Sequence, residues 1–198
     1  MIYDKQIQDF FSSLNRLEDK AYFKFIVSYL AAPTLYSSKP ATILSFNKTQ
    51  RNLYELWNQY EYMVREWNIT DYLLLKEDKY AKLVMFYNNK LKDVLEKEEN
   101  RRYLIKLGYD ENGSIYDYLN ELKRRFQKTC PHEIGIFLGI PLEDTKKFIE
   151  KKGKEFKYCG YWKVYDNLEE AMSIFQSFDA ARLEIINKAL KELIHISN

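Results

Sequence analysis

The stretch from Cys130 to Pro141, CPHEIGIFLGIP, concentrates residues able to do chemistry. It holds one of two histidines and one of two cysteines in the chain. His132 beside Glu133, at the start of a short helix, has the makings of an acid/base pair, and a helix N-terminus favours an anion. The plainer reading is that Glu133 complements the helix dipole while His132 caps or packs. A second set lies in APTLYSSKP, residues 32–40, where Thr34, Ser37, Ser38 and Lys39 offer donors to a phosphate or carboxylate. A third lies in FKYCGYWKVY, residues 156–165, with Trp162 to stack on a planar group and Lys163 to hold an anionic one. The candidate ligand-binding residues are therefore Thr34, Lys39, His132, Glu133, Trp162 and Lys163.

Other chemistry finds less support. Cys130, His132, Cys159 and His195 lack the close pairs of a structural zinc site, so no metal site is assigned. Haem or iron through His132 stays open, and the cofactor is left unknown. The 32–40 segment has no glycine and is not a phosphate loop of the GxxxxGK[ST] kind. No GxSxG, GxGxxG or HExxH pattern occurs, so no reaction class is assigned. The basic run Lys123, Arg124, Arg125, Lys128 and the lysines near 146–154 would suit nucleic acid, but interleaved Glu143, Glu150 and Glu155 favour a solvated surface.

These residues must be positioned by elements whose pattern is readable. Pro33 is expected to end a helical N-terminal region, since the residue before a proline is pushed out of the α region. Ala41 to Phe46 reads as a strand, and Asn47 or Thr49 as the cap of the next helix. Leu53, Leu56, Trp57, Tyr60, Met63, Val64 and Trp67 make a helical stripe. Thr70 to Lys76 and Tyr80 to Tyr87 read as a hairpin. Leu83 to Tyr87 is apolar on both alternations, so that strand should be central. Asn88 opens a helix, and Ser114 with Asp117 forms a capping box for another. Short helices are expected over 131–138 and 142–152, a bulged strand over 156–165, and a last helix with a break near Ser177.

The order matches a split βαββαβ motif. The expected fold is α+β: a four-stranded, mostly antiparallel sheet with N-terminal helices, a helical insertion before the last strand and a C-terminal helix. The last strand would lie beside the first, bringing Lys39 near Trp162 and Lys163. One pocket would then form from the 32–40 loop, the N-terminus of the 131–138 helix and the end of the 156–165 strand.

Bulk properties bound the rest. The 198 residues suit one domain, 1–198, able to bury a full core. A net charge of +2 is too balanced to imply a polyanion partner by itself. Two cysteines fit a reducing compartment, and no run approaches a membrane span, so the expectation is a cytoplasmic protein with no membrane partner. The expected partner is a small anionic or planar ligand. The alternative is a non-catalytic module binding protein or nucleic acid through its basic helix faces.

Three segments, APTLYSSKPATILSF (32–46), PHEIGIFLGIPLEDTKKFIE (131–150) and GYWKVYDNLEEA (160–171), resemble in order and spacing the uncharacterised bacterial family called domain of unknown function 3793. The resemblance spans nearly the whole chain and implies no activity. Family members often carry cysteine where this chain has Ala31 and Tyr161, so the resemblance does not imply shared thiol chemistry.

Overall fold

The computed structural model describes residues 2–49, 51–67 and 70–196, with the side chains of 2–4 and 193–196 outside the description. Leu193, Ile194 and His195, read from sequence as helix-face and metal-site candidates, therefore lie outside the described side chains.

Helices α1 (Ile2–Leu14) and α2 (Asp19–Tyr36) open the chain. In α2 the apolar residues surround the axis rather than forming one stripe, and it is buried from Tyr22 through Thr34 at nearly every position. Pro33 lies inside this helix and does not end it. It deletes one backbone hydrogen bond in the final turn, where only residues 34–36 follow, and the buried Ala31, Ala32 and Thr34 hold that turn against its neighbours. The expected 32–40 loop is thus a helix end followed by a short turn.

Strands β1 (Ala41–Asn47), β2 (Asp71–Glu77) and β3 (Ala81–Tyr87) form an antiparallel sheet in the order β1-β3-β2, with helix α3 (Leu53–Glu66) connecting β1 to β2. This is the split β-α-β arrangement, with β3 central. Val84 and Phe86 meet Leu44, Phe46, α2 and α3 on one face, while Met85 faces Ile43 and Leu75 under the later helices. A strand in that place has no solvent face, hence its unbroken apolar run. The cap of α3 is Asn52, in the left-handed region at φ 48°, and not Asn47 or Thr49; its side chain accepts from the Glu55 amide.

Helices α4 (Lys90–Glu96), α5 (Glu98–Lys106), α6 (Ile115–Phe126), α7 (Ile134–Phe137) and α8 (Leu142–Glu150) follow. The Ser114/Asp117 capping box of α6 is present in both directions. Helix α7 is a single turn, ended by Gly139 at φ 78°. A Cβ there would lie 2.6 Å from the Pro40 ring, so glycine is required by both conformation and space.

The segment 156–165 does not extend the sheet. It folds back on itself as a hairpin, β4 (Tyr158–Cys159) and β5 (Lys163–Val164), turning through Gly160–Trp162. Among the described residues the main sheet has three strands, so the expected four-stranded sheet is not found. Trp162 and Val164 pack instead on Ala171, Phe175 and Phe178 of α9 (Leu168–Ile196) as a small third core. Helix α9 runs unbroken past Ser177, whose hydroxyl donates to the Ile174 carbonyl within the helix.

Candidate functional site

Asp144 ties α8 to the hairpin. Its side chain is buried, Oδ2 accepts from Trp162 Nε1 at 2.8 Å, and Oδ1 accepts from the Tyr165 and Asp166 amides at 2.8 and 3.0 Å. Three charge-assisted bonds replace the water lost on burial. The hairpin is thereby fixed opposite the 130–138 segment, and a groove of about 520 Å³ opens between them.

The groove's apolar walls include Ile134, Leu138, Ile140 and Phe148; its polar groups include His132, Lys163, Thr145 and the thiols of Cys130 and Cys159. Phe148 is a third exposed, and its ring lies 6.2 Å from that of His132. Lys163 Nζ donates to the Gly153 carbonyl at 2.7 Å and sits over the rings of Phe156 and Phe148, leaving ammonium hydrogens for another acceptor. Thr145 Oγ1 is buried without a hydrogen-bond partner. Both cysteines are free. The partial burial of the Cys130 thiol, and secondarily Glu133, raises its pKa, which keeps it protonated at neutral pH.

Of the six residues singled out from sequence, His132, Trp162 and Lys163 line this groove. Trp162 is buried, its indole edge-on to Phe175 at 4.5 Å and bonded to Asp144, so it is a fixed wall rather than a free stacking platform. Glu133 turns away from His132. Its Oε1 accepts from Arg125 Nη1 at 3.0 Å and from the Tyr109 hydroxyl at 3.3 Å, in a buried cluster under α6. The adjacent residues therefore do not assemble as an acid/base pair.

Thr34 and Lys39 lie elsewhere. The Thr34 hydroxyl shares a 2.7 Å hydrogen bond with that of Thr42, and Asn88 Nδ2 clamps the turn by donating to the carbonyls of Thr34 and Lys39. Thr34 lines a second groove with Arg65, Thr70, Asn88 and Lys90. Lys39 reaches the other way, its Nζ 5.9 Å from the centre of the Phe178 ring on α9. Burial, and then the charge of Arg182, lowers its pKa to about 8. The pocket expected from three segments is thus built from two of them.

Sequence reading missed Asp144, Thr145, Phe148 and Cys159 as groove residues. Only the place of the first three in the family-like 131–150 segment signalled them, and Cys159 was weighed as a metal ligand; an acid in the first turn of a helix otherwise reads as dipole complement. The basic face of α6 is largely paired internally: Arg124 and Arg125 both donate to Glu121, which these bonds, that of Arg124 foremost, hold down to about 2. Among the described residues no group of three His, Cys, Asp or Glu side chains is placed to hold a metal, and no helix is long and apolar enough to cross a membrane.

A family model described as a protein of unknown function, DUF3793, matches residues 27–196. No curated protein matches the chain, and no solved structure does.

Proposed function

Since the chain belongs to the DUF3793 family, whose description supplies no activity, we propose from its geometry that it binds a small, mostly apolar organic acid in the groove between the 130–138 segment, α8 and the β4–β5 hairpin. The observation that carries this is the juxtaposition of two segments distant in sequence around one cavity of about 520 Å³, with apolar walls and a few polar groups. Sites for small molecules have that size and make-up. Ile134, Leu138, Ile140 and Phe148 take the apolar body. Lys163, already desolvated on one side by two aromatic rings, takes the acidic group, and His132 lies at the exposed rim. The reading is one of binding rather than catalysis, because Glu133 is committed to Arg125 and Cys130 is held as a thiol.

The test is a fluorescence titration with anilinonaphthalene sulfonate, an apolar, planar anion. The wild-type protein is expected to bind it at one site. Cys130→Trp places an indole in the groove from an exposed position and should weaken binding at least fivefold, with the near-ultraviolet circular dichroism preserved outside the added indole. Lys163→Gln should weaken it as well. Equal binding by all three proteins would refute the reading.

A further inference from the structure

Lys39, in the turn after α2, and Arg182, on α9, approach the same aromatic cluster, and among the described residues neither has an ion-pair partner. Lys39 Nζ lies over Phe178, and Arg182 is one helical turn further along from Phe178, its guanidinium carbon 4.9 Å from the centre of the Tyr161 ring and 5.4 Å from that of Tyr29. The Phe178 and Tyr161 rings meet edge-on at 5.0 Å, so the two cations border one aromatic surface. Among the described residues neither takes part in an ion pair or a side-chain hydrogen bond. Arg182 Nε is a buried donor left without an acceptor. The nearby carboxylate, Asp179, accepts from the Tyr161 hydroxyl at 2.7 Å and forms no ion pair with Arg182.

Two like charges drawn together in partly desolvated surroundings oppose each other, and an unmet guanidinium donor adds to the cost. The rings offset part of this through their negative faces. A bound anion would offset the rest: it would accept from the Arg182 fork and from the Lys39 ammonium together, the recognition that guanidinium and ammonium groups give to oxyanions. Arg182 also opens onto a groove of about 430 Å³ lined by Tyr158, Met172, Phe175, Gln176 and Asp179, whose carboxylate is engaged by the Tyr161 hydroxyl, and this leaves room for the body of a molecule carrying such a group.

We propose that Lys39 and Arg182 form an oxyanion-binding site, for the phosphate or carboxylate of a small metabolite, where the turn after α2 meets α9. This site is separate from the groove of the preceding section: Lys39 and Arg182 line no part of that groove, so either reading can fail alone.

Calorimetric titration of the full chain with inorganic phosphate, at constant ionic strength made up with chloride, tests it. Wild type should bind phosphate at one site. Lys39→Met and Arg182→Gln should each weaken binding tenfold or more, and Arg182→Lys, which keeps the charge but loses the fork, should fall between. Lys92→Gln, an exposed lysine distant in sequence from the site, should bind as wild type. A parallel titration with citrate separates the two chemistries: binding of either anion, lost in the same variants, supports the site and assigns its class. Binding of neither overturns the proposal. So does binding that Lys39→Met and Arg182→Gln leave unchanged, which would mark an adventitious ion only.

Discussion

Trp162 Nε1 donates to Asp144 Oδ2 at 2.8 Å, and that bond joins the hairpin to α8 across the base of the groove. The other carboxylate oxygen holds the two amides that end the hairpin. Asp144→Asn keeps the shape, but its amide can no longer accept from both the indole and the backbone. It should cost about 2–3 kcal/mol, the scale for a buried donor left unpaired beside a lost charged hydrogen bond. Urea unfolding measures this; a change below about 0.5 kcal/mol would show that the carboxylate is not organising the hairpin.

Gly160 makes the hairpin's close approach to α9 possible. A Cβ at that position would lie 2.3 Å from Phe175 Cε2. Gly160→Ala must push the ring or the turn aside, at about 1–3 kcal/mol. Because Phe175 also supports Trp162, the intrinsic tryptophan spectrum should shift with the loss of stability. An unchanged melting temperature and spectrum would contradict the packing described.

The Lys39 ammonium gives a pH signature of definite sign. Its pKa falls from an ordinary 10.5 to about 8 in the folded chain, through burial first and Arg182 second. The folded state therefore disfavours the proton. This penalty is absent above about pH 10.5, where Lys39 is neutral in both states. It grows as pH falls and is complete below about pH 8. In anion-free buffer Lys39→Met should be more stable than wild type at pH 7, by about 1–2 kcal/mol after allowance for partial exposure, and the difference should shrink toward pH 10. Paired denaturant titrations at pH 7 and 9.5 check it; a difference independent of pH would mean that Lys39 is solvated like any surface lysine.

Several features of this fold were legible in the residues. The two-sided apolar run in β3 put that strand at the centre, and the Ser114/Asp117 pair marked the start of α6. The features that were not legible depend on contacts distant in sequence. Pro33 reads as a stop, yet α2 is buried at nearly every position from Tyr22 to Thr34, and packing outweighs one lost hydrogen bond in a last turn. The alternation in 156–165 fits an edge strand as well as a hairpin; the carboxylate of Asp144 and the ring of Phe175 decide between them. Glu133 beside His132 looked like a pair, but the turn before α7 sends one side chain to the rim and the other to Arg125. Arg182 gave no signal, because nothing local relates it to Lys39.

The central claim is that Cys130 and Cys159, nearly thirty residues apart in the chain, line one groove that a ligand fills. Alkylation with iodoacetamide, followed at each cysteine by mass spectrometry, measures this most directly. With saturating anilinonaphthalene sulfonate both thiols should react several-fold more slowly, and together, at the same half-saturating concentration. Unchanged rates at both positions under saturation, or protection of one thiol alone, would contradict a single shared site.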